Sequence, residues 1–154
     1  GYALGGAAER KAIFNLYLAR AERVNNWDLV DASAPGIVGR HLPPGGGRRV
    51  LARLAASGCL WRRRIAMVAT LEHIRQGELS NTFRLAERIP ADPEDLMHKA
   101  AGWMLREAGK RDAAALEAFL ERQAGRMPRT MLRYAIERLP PARRRAWLAV
   151  PRQT

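Results

Sequence analysis

Two short patterns in this chain bring together side chains that could do chemistry. Trp27 and Asp31 are four residues apart, so on a helix an indole and a carboxylate would sit one turn apart on one face. Trp61 precedes Arg64, and Trp103 precedes Arg106, each within a Trp-x-x-Arg-x-Ala pattern that sets a flat apolar ring beside a fixed cation. A carboxylate can stabilise a developing positive charge, an indole face attracts one, and arginine grips phosphate. Each pattern also has a plain structural account. Trp27 would mark an amphipathic boundary with Asp31 in water, and Trp103 would pack in the core while Arg106 snorkels out. Spacing alone leaves both accounts open.

The two Trp-x-x-Arg patterns lie roughly 40 residues apart, the period of stacked helix pairs of the HEAT or armadillo type. That period predicts equivalent places for Arg64 and Arg106 on neighbouring repeats, and so a row of arginines. The triplets Arg62-Arg63-Arg64 and Arg143-Arg144-Arg145 would each span most of a turn. At least one member of each is therefore a solvated charge, leaving one or two that could hold phosphate.

Other chemistries find no support. His41, His73 and His98 show no paired spacing for a metal, and Cys59 stands alone, with neither a disulfide partner nor the neighbours of a zinc site. Gly45-Gly46-Gly47 lacks the Lys-Ser/Thr of a phosphate loop, and no nucleophile elbow surrounds Ser33, Ser57 or Ser80. No metal and no cofactor is expected. In 154 residues, 27 Lys+Arg oppose 15 Asp+Glu, a net charge of +12 that points to a polyanionic partner, nucleic acid before a membrane surface. Only Lys11, Lys99 and Lys110 are lysines, a bias shared with GC-rich coding, which discounts the charge somewhat as a DNA signal. No apolar run approaches the length of a membrane span, and no signal peptide is visible, so a reduced, cytoplasmic setting is the expectation.

The elements that must position these residues read as helices throughout. The segments Ala7 to Val24, Trp27 to before Pro35, Ile37 to Leu42, Arg48 to Ser57 and Leu60 to Gln76 carry helical periodicity or caps. So do a helix to Ile89 capped by Ser80 or Asn81, one over 93 to about 109 capped by Asp92, and one from Asp112 to about Gln123. Arg129 to Leu139 and a last basic turn from Pro140-Pro141 through Leu148 complete the chain. Residues 43–47, Pro43-Pro44-Gly45-Gly46-Gly47, have linker composition and are expected to form a mobile loop. No window alternates with period two. The expected fold class is all-α, a HEAT-like α-solenoid of short antiparallel helix pairs in one domain over 1–154.

Four blocks together resemble the DNA alkylation repair family of AlkD-like 7-alkylpurine DNA glycosylases. They are Asn26-Trp27-Asp28-Leu29-Val30-Asp31, Trp61-Arg62-Arg63-Arg64-Ile65-Ala66, Lys99-Ala100-Ala101-Gly102-Trp103-Met104-Leu105-Arg106-Glu107 and Met127-Pro128-Arg129-Thr130-Met131-Leu132-Arg133-Tyr134-Ala135-Ile136-Glu137. Their order and approximate spacing fit from about residue 10 to 140. The resemblance implies a superhelix of HEAT-like pairs. It makes Asp31 the catalytic carboxylate, makes Trp27 and Trp103 the walls of the DNA cleft, and sets Arg64 and Arg106 on phosphates, with Arg133 on the backbone.

The implied activity is excision of cationic N7- or N3-alkylpurines from duplex DNA. The charged base leaves without a general acid, and the demand falls on the oxocarbenium-like sugar. Such enzymes leave the lesion stacked instead of flipping it into a pocket. The implied partner is alkylated duplex DNA, bound by a monomer. Two departures stand out. The family carries helices before the first one seen here, and Asn26 takes the place of a further Trp in some members. Two rival readings use the same features: a non-catalytic HEAT-like module binding duplex or branched DNA, and a protein-interaction solenoid whose charge is only compositional.

Overall fold

The computed structural model describes residues 6–23, 25–43 and 47–153. Among them every regular element is helical: α1 (Ala7–Ala19), α2 (Trp27–Ala34), α3 (Arg48–Ala55), α4 (Leu60–Arg75), α5 (Ser80–Ala86), α6 (Asp95–Arg111), α7 (Ala113–Gln123), α8 (Arg129–Ala135) and α9 (Pro141–Leu148). Short 3-10 turns occupy Ala21–Arg23 and Ile89–Ala91. None of these helices is long and apolar enough to cross a membrane. The chain divides into two compact units, Gly1–Asn81 and Thr82–Thr154.

The first unit is built on α4. Its middle, Ile65-Ala66-Met67-Val68-Ala69, is apolar all round, the pattern of a core helix, and these residues are buried. α2, α3 and the stretch that extends α2 all pack on it. That extension corrects an expectation. The helix does not stop before Pro35 but runs on as a wider π turn over Pro35–Gly39. The proline has no N–H to give and its ring crowds the preceding turn, and opening the helix relieves both. Gly39 then lies so close to α4 that a Cβ there would stand 2.2 Å from the Ala69 carbonyl oxygen. Buried His73 fixes this contact. Its Nε2 donates to the carbonyls of Gly39 and Leu42, both at 3.0 Å, and Nδ1 faces Asn81 Nδ2 at 3.3 Å. Expected as a structural or solvent-facing histidine, it is a buried tie. The loop expected over 43–47 falls mostly on 44–46, which lie outside the described residues; Gly47 precedes α3 as its N-cap.

The second unit is built on α6, which packs against α7 and α8. Its buried face is Met97, Ala100, Ala101, Met104, Leu105 and Ala108. At Gly102 α8 comes so near that a Cβ would sit 2.6 Å from the Met131 carbonyl oxygen and 2.5 Å from the Tyr134 Cβ. The expected cap at Asp92 is displaced. α6 begins at Asp95 with Glu94 as N-cap, and the Asp92 side chain accepts from the Glu94 N–H at 3.0 Å. Asp112 does cap α7, accepting from the Ala115 N–H at 3.0 Å.

Candidate functional site

In the first unit the helix α2 carries both members of the Trp27/Asp31 pair. Asn26 caps it, its side chain accepting from the Leu29 N–H at 2.9 Å, and so fixes where the first turn begins. Trp27 follows at that first turn with 51% of its surface exposed. An indole left that open is not a core residue. Asp31 sits one turn on, about 6 Å away at the Cβ level by helix geometry.

Asp31 does not stand free in water. Arg64 reaches from α4 and pairs with it in fork geometry, Nε to Oδ1 at 3.2 Å and Nη2 to Oδ2 at 3.0 Å. The Arg64 side chain is only 6% exposed and that of Asp31 18%. Arg64, expected on a phosphate, faces a carboxylate in this structure. It is turned inward, and its planar fork is spent on a carboxylate whose geometry it matches. The Asp31 side chain remains partly open to solvent. The arrangement can hold one carboxylate rigidly beside an exposed indole.

Tyr17, which the sequence did not single out, belongs to the same neighbourhood. Its hydroxyl donates to Ser33 Oγ at 2.8 Å, while Ser33 in turn donates to the Leu29 carbonyl. Burial pushes the Tyr17 hydroxyl above its ordinary value, its bond to Ser33 works against that, and the nearby Asp31 charge adds to the rise. Tyr17 and Ser33 are 16 residues apart on different helices, so no local spacing could have paired them.

The other two members of the first arginine triplet are also committed inside the protein. Arg62 donates to the Leu18 carbonyl at 3.2 Å and to Glu22 at 2.8 Å, and Arg63 donates to the Ser57 carbonyl at 3.1 Å.

In the second unit Trp103 lies half-buried on α6, at the edge of the buried face and not in its centre. Arg106, one turn on, pairs with Glu137 at 2.5 Å and lies 3.8 Å from Glu107. Its Nε is buried without a hydrogen-bond partner among the described residues. Arg133 on α8 is exposed. Asp31 and Arg64 are thus brought together in one unit, while Trp103, Arg106 and Arg133 belong to the other. Glu137 stands inside a block singled out in the sequence, yet only its contact with Arg106 distinguishes it. Among the described residues no group of three or more His, Cys, Asp or Glu is placed to hold a metal ion.

Neither a curated protein nor a solved structure matches the chain. A family model does, over residues 3–139, and its description is DNA alkylation repair enzyme. The match spans most of the chain and takes in Asp31, Arg64, Trp103 and Arg106 alike: the chain belongs to the DNA alkylation repair enzyme family.

Proposed function

We propose that the chain is a DNA N-glycosylase that releases cationic N7- or N3-alkylpurines from duplex DNA by acting on the sugar. The observation that carries this reading is the α2 pair: an exposed Trp27 one turn before a partly exposed carboxylate that a buried arginine holds in place. An N7-alkylated purine carries a positive charge, so when the C1′–N9 bond breaks its electron pair leaves with the base and neutralises it. The sugar is left with oxocarbenium character. Asp31 stabilises that charge and accepts a proton from the water that adds to C1′. Trp27 covers the sugar with an indole face, for which cation–π attraction of order 0.5–2 kcal/mol is available. Arg64 acts through Asp31 as a positioning residue. The resemblance gives Trp103 the second indole, Arg106 and Arg133 contact with the backbone, and the helix pairs a HEAT-like solenoid arrangement. It also leaves the lesion stacked. The same reading has the chain working as a monomer in the cytoplasm.

The bidentate pair also favours a second reading. A carboxylate with both oxygens engaged can serve purely as a tie between α2 and α4, and the chain would then bind duplex or branched DNA without cutting a glycosidic bond. Release of free 7-methylguanine from alkylated duplex DNA separates the two. Under the glycosylase reading Asp31→Asn lowers release by roughly 100-fold or more, the scale of a lost charge-stabilising or general-base group. Trp27→Ala, at a half-exposed position, lowers it as well. Binding of the alkylated duplex with no release by the unmodified chain would select the second reading.

A further inference from the structure

The second unit holds a groove between α8 and α9 with a volume of about 260 Å³, lined by Arg133, Ile136, Glu137, Pro141, Arg144, Arg145 and Leu148. Its composition is divided. Ile136, Pro141 and Leu148 form an apolar floor, and three arginines stand over it. The one carboxylate, Glu137, is drawn towards Arg106 at 2.5 Å, so its charge is already answered from outside the groove. Arg144 is steadied by donating to the Glu137 carbonyl at 3.3 Å. Among the described residues neither Arg133 nor Arg145 has an ion-pair partner. The third member of the triplet, Arg143, is not in the groove. It forks onto Glu117 on α7 at 3.2 and 2.5 Å and lies over the Trp147 ring at 5.3 Å, which anchors α9 from its other side. Residues 141–148 lie beyond the stretch that the family model matches.

We propose that this groove seats one sugar-phosphate unit of a DNA strand, as an anchoring site within the second unit. Three features select that ligand. The guanidinium groups call for an anion, and their planar donors suit a phosphate. An apolar floor suits the carbon face of a deoxyribose and would be wasted on a free inorganic ion. The volume falls below the roughly 300–1,000 Å³ usual for small-molecule sites, which fits one unit of a continuous strand. The site rests on the reading of the chain as a DNA-acting enzyme only for the identity of the polyanion. Its chemistry is backbone contact, which positions without reading sequence.

The test is the salt dependence of binding to an undamaged duplex, followed by fluorescence anisotropy on the full chain. Each phosphate contact contributes about −0.9 to the log–log slope for B-DNA. Arg144→Gln with Arg145→Gln should flatten the slope by about 0.9, the one phosphate the groove seats, and weaken binding up to about tenfold near 0.1 M salt. Arg144→Lys with Arg145→Lys, which keeps both charges, should restore most of the slope. An unchanged slope in the glutamine double variant, with thermal melting showing it folded, overturns the site. So does a variant that loses affinity for phosphatidylserine vesicles while its duplex binding stays intact. Base release, scored on the same preparations, keeps the two ideas apart. A chain that releases no 7-methylguanine but shows the flattened slope refutes the glycosylase reading and supports the groove.

Discussion

Arg64 and Arg106 occupy the same place in the same Trp-x-x-Arg-x-Ala pattern, each on the central helix of its unit, and each faces one main carboxylate. The two pairs nevertheless differ in kind. Arg64 and Asp31 are 6% and 18% exposed and joined by two bonds, whereas Arg106 and Glu137 are 21% and 54% exposed and joined by one. In the first, both partners have given up most of their water, and neither can be withdrawn without stranding the other. In the second, water already competes for Glu137, so an incoming phosphate could take its place on Arg106. A shared local pattern thus yields a fixed pair in one unit and an exchangeable one in the other. What decides is the neighbour: α2 lies close over α4 and brings Asp31 with it, while Glu137 sits past the end of α8 in the open.

The largest effect expected from breaking this contrast is on stability. Arg64→Ala leaves Asp31 without its partner and opens a gap beside α4, and should cost about 3–5 kcal/mol. Arg106→Ala, whose partner remains solvated, should cost no more than about 1 kcal/mol. Urea unfolding of the two variants side by side measures both. Equal losses would mean that exposure does not separate the pairs. A smaller effect of opposite sign sharpens the comparison from the other end. Glu137→Gln removes the carboxylate that competes for Arg106 and lines the α8–α9 groove, and should tighten duplex binding several-fold and steepen its salt dependence. The same exchange at Asp31 should bring no such gain, because Arg64 is buried. Anisotropy titrations of both variants at two salt concentrations test this.

The helical class and most element starts were legible because they are written locally. Asn26 and Asp112 are side-chain caps whose bonds reach only three residues ahead, and Ala-rich periodicity does the rest. The Pro35 stop was misread because a rule about one residue's missing N–H met a tertiary contact, the tight packing of Gly39 on α4, that rewards continuing. Trp27 and Asp31 could be named as a pair from spacing alone. That Arg64 turns onto Asp31 could not. An arginine's partner 33 residues away is fixed by which helices pack, and the period near 40 residues speaks of similar places without saying what each arginine faces. The two triplets make the same point: all of Arg62-Arg63-Arg64 is spent within the protein, whereas Arg145 is left open and Arg143 is not.

The smallest expected effect concerns how α9 is held to α7, and it titrates. The Arg143 guanidinium bonded to Glu117 holds that carboxyl below its ordinary value of 4.5, against a modest opposing push from burial, and the Trp147 indole N–H adds to the lowering from 2.9 Å. A group whose folded value lies below its unfolded one stabilises the fold fully above the unfolded value and loses that contribution as the pH falls through the folded one. The contact should therefore be intact at neutral pH and fade below the ordinary glutamate range. Because Arg143 is half exposed, the contribution is that of a surface pair, screened by solvent and small. Thermal melting of the unmodified chain and of Glu117→Gln should differ near about pH 6 and converge near about pH 3. Subtracting one from the other removes the other carboxylates, which titrate in both. A difference that persists to the lowest pH would show that the indole and packing hold α9, with the ion pair contributing nothing. The Arg144–Arg145 groove would then depend on apolar contact alone for its shape.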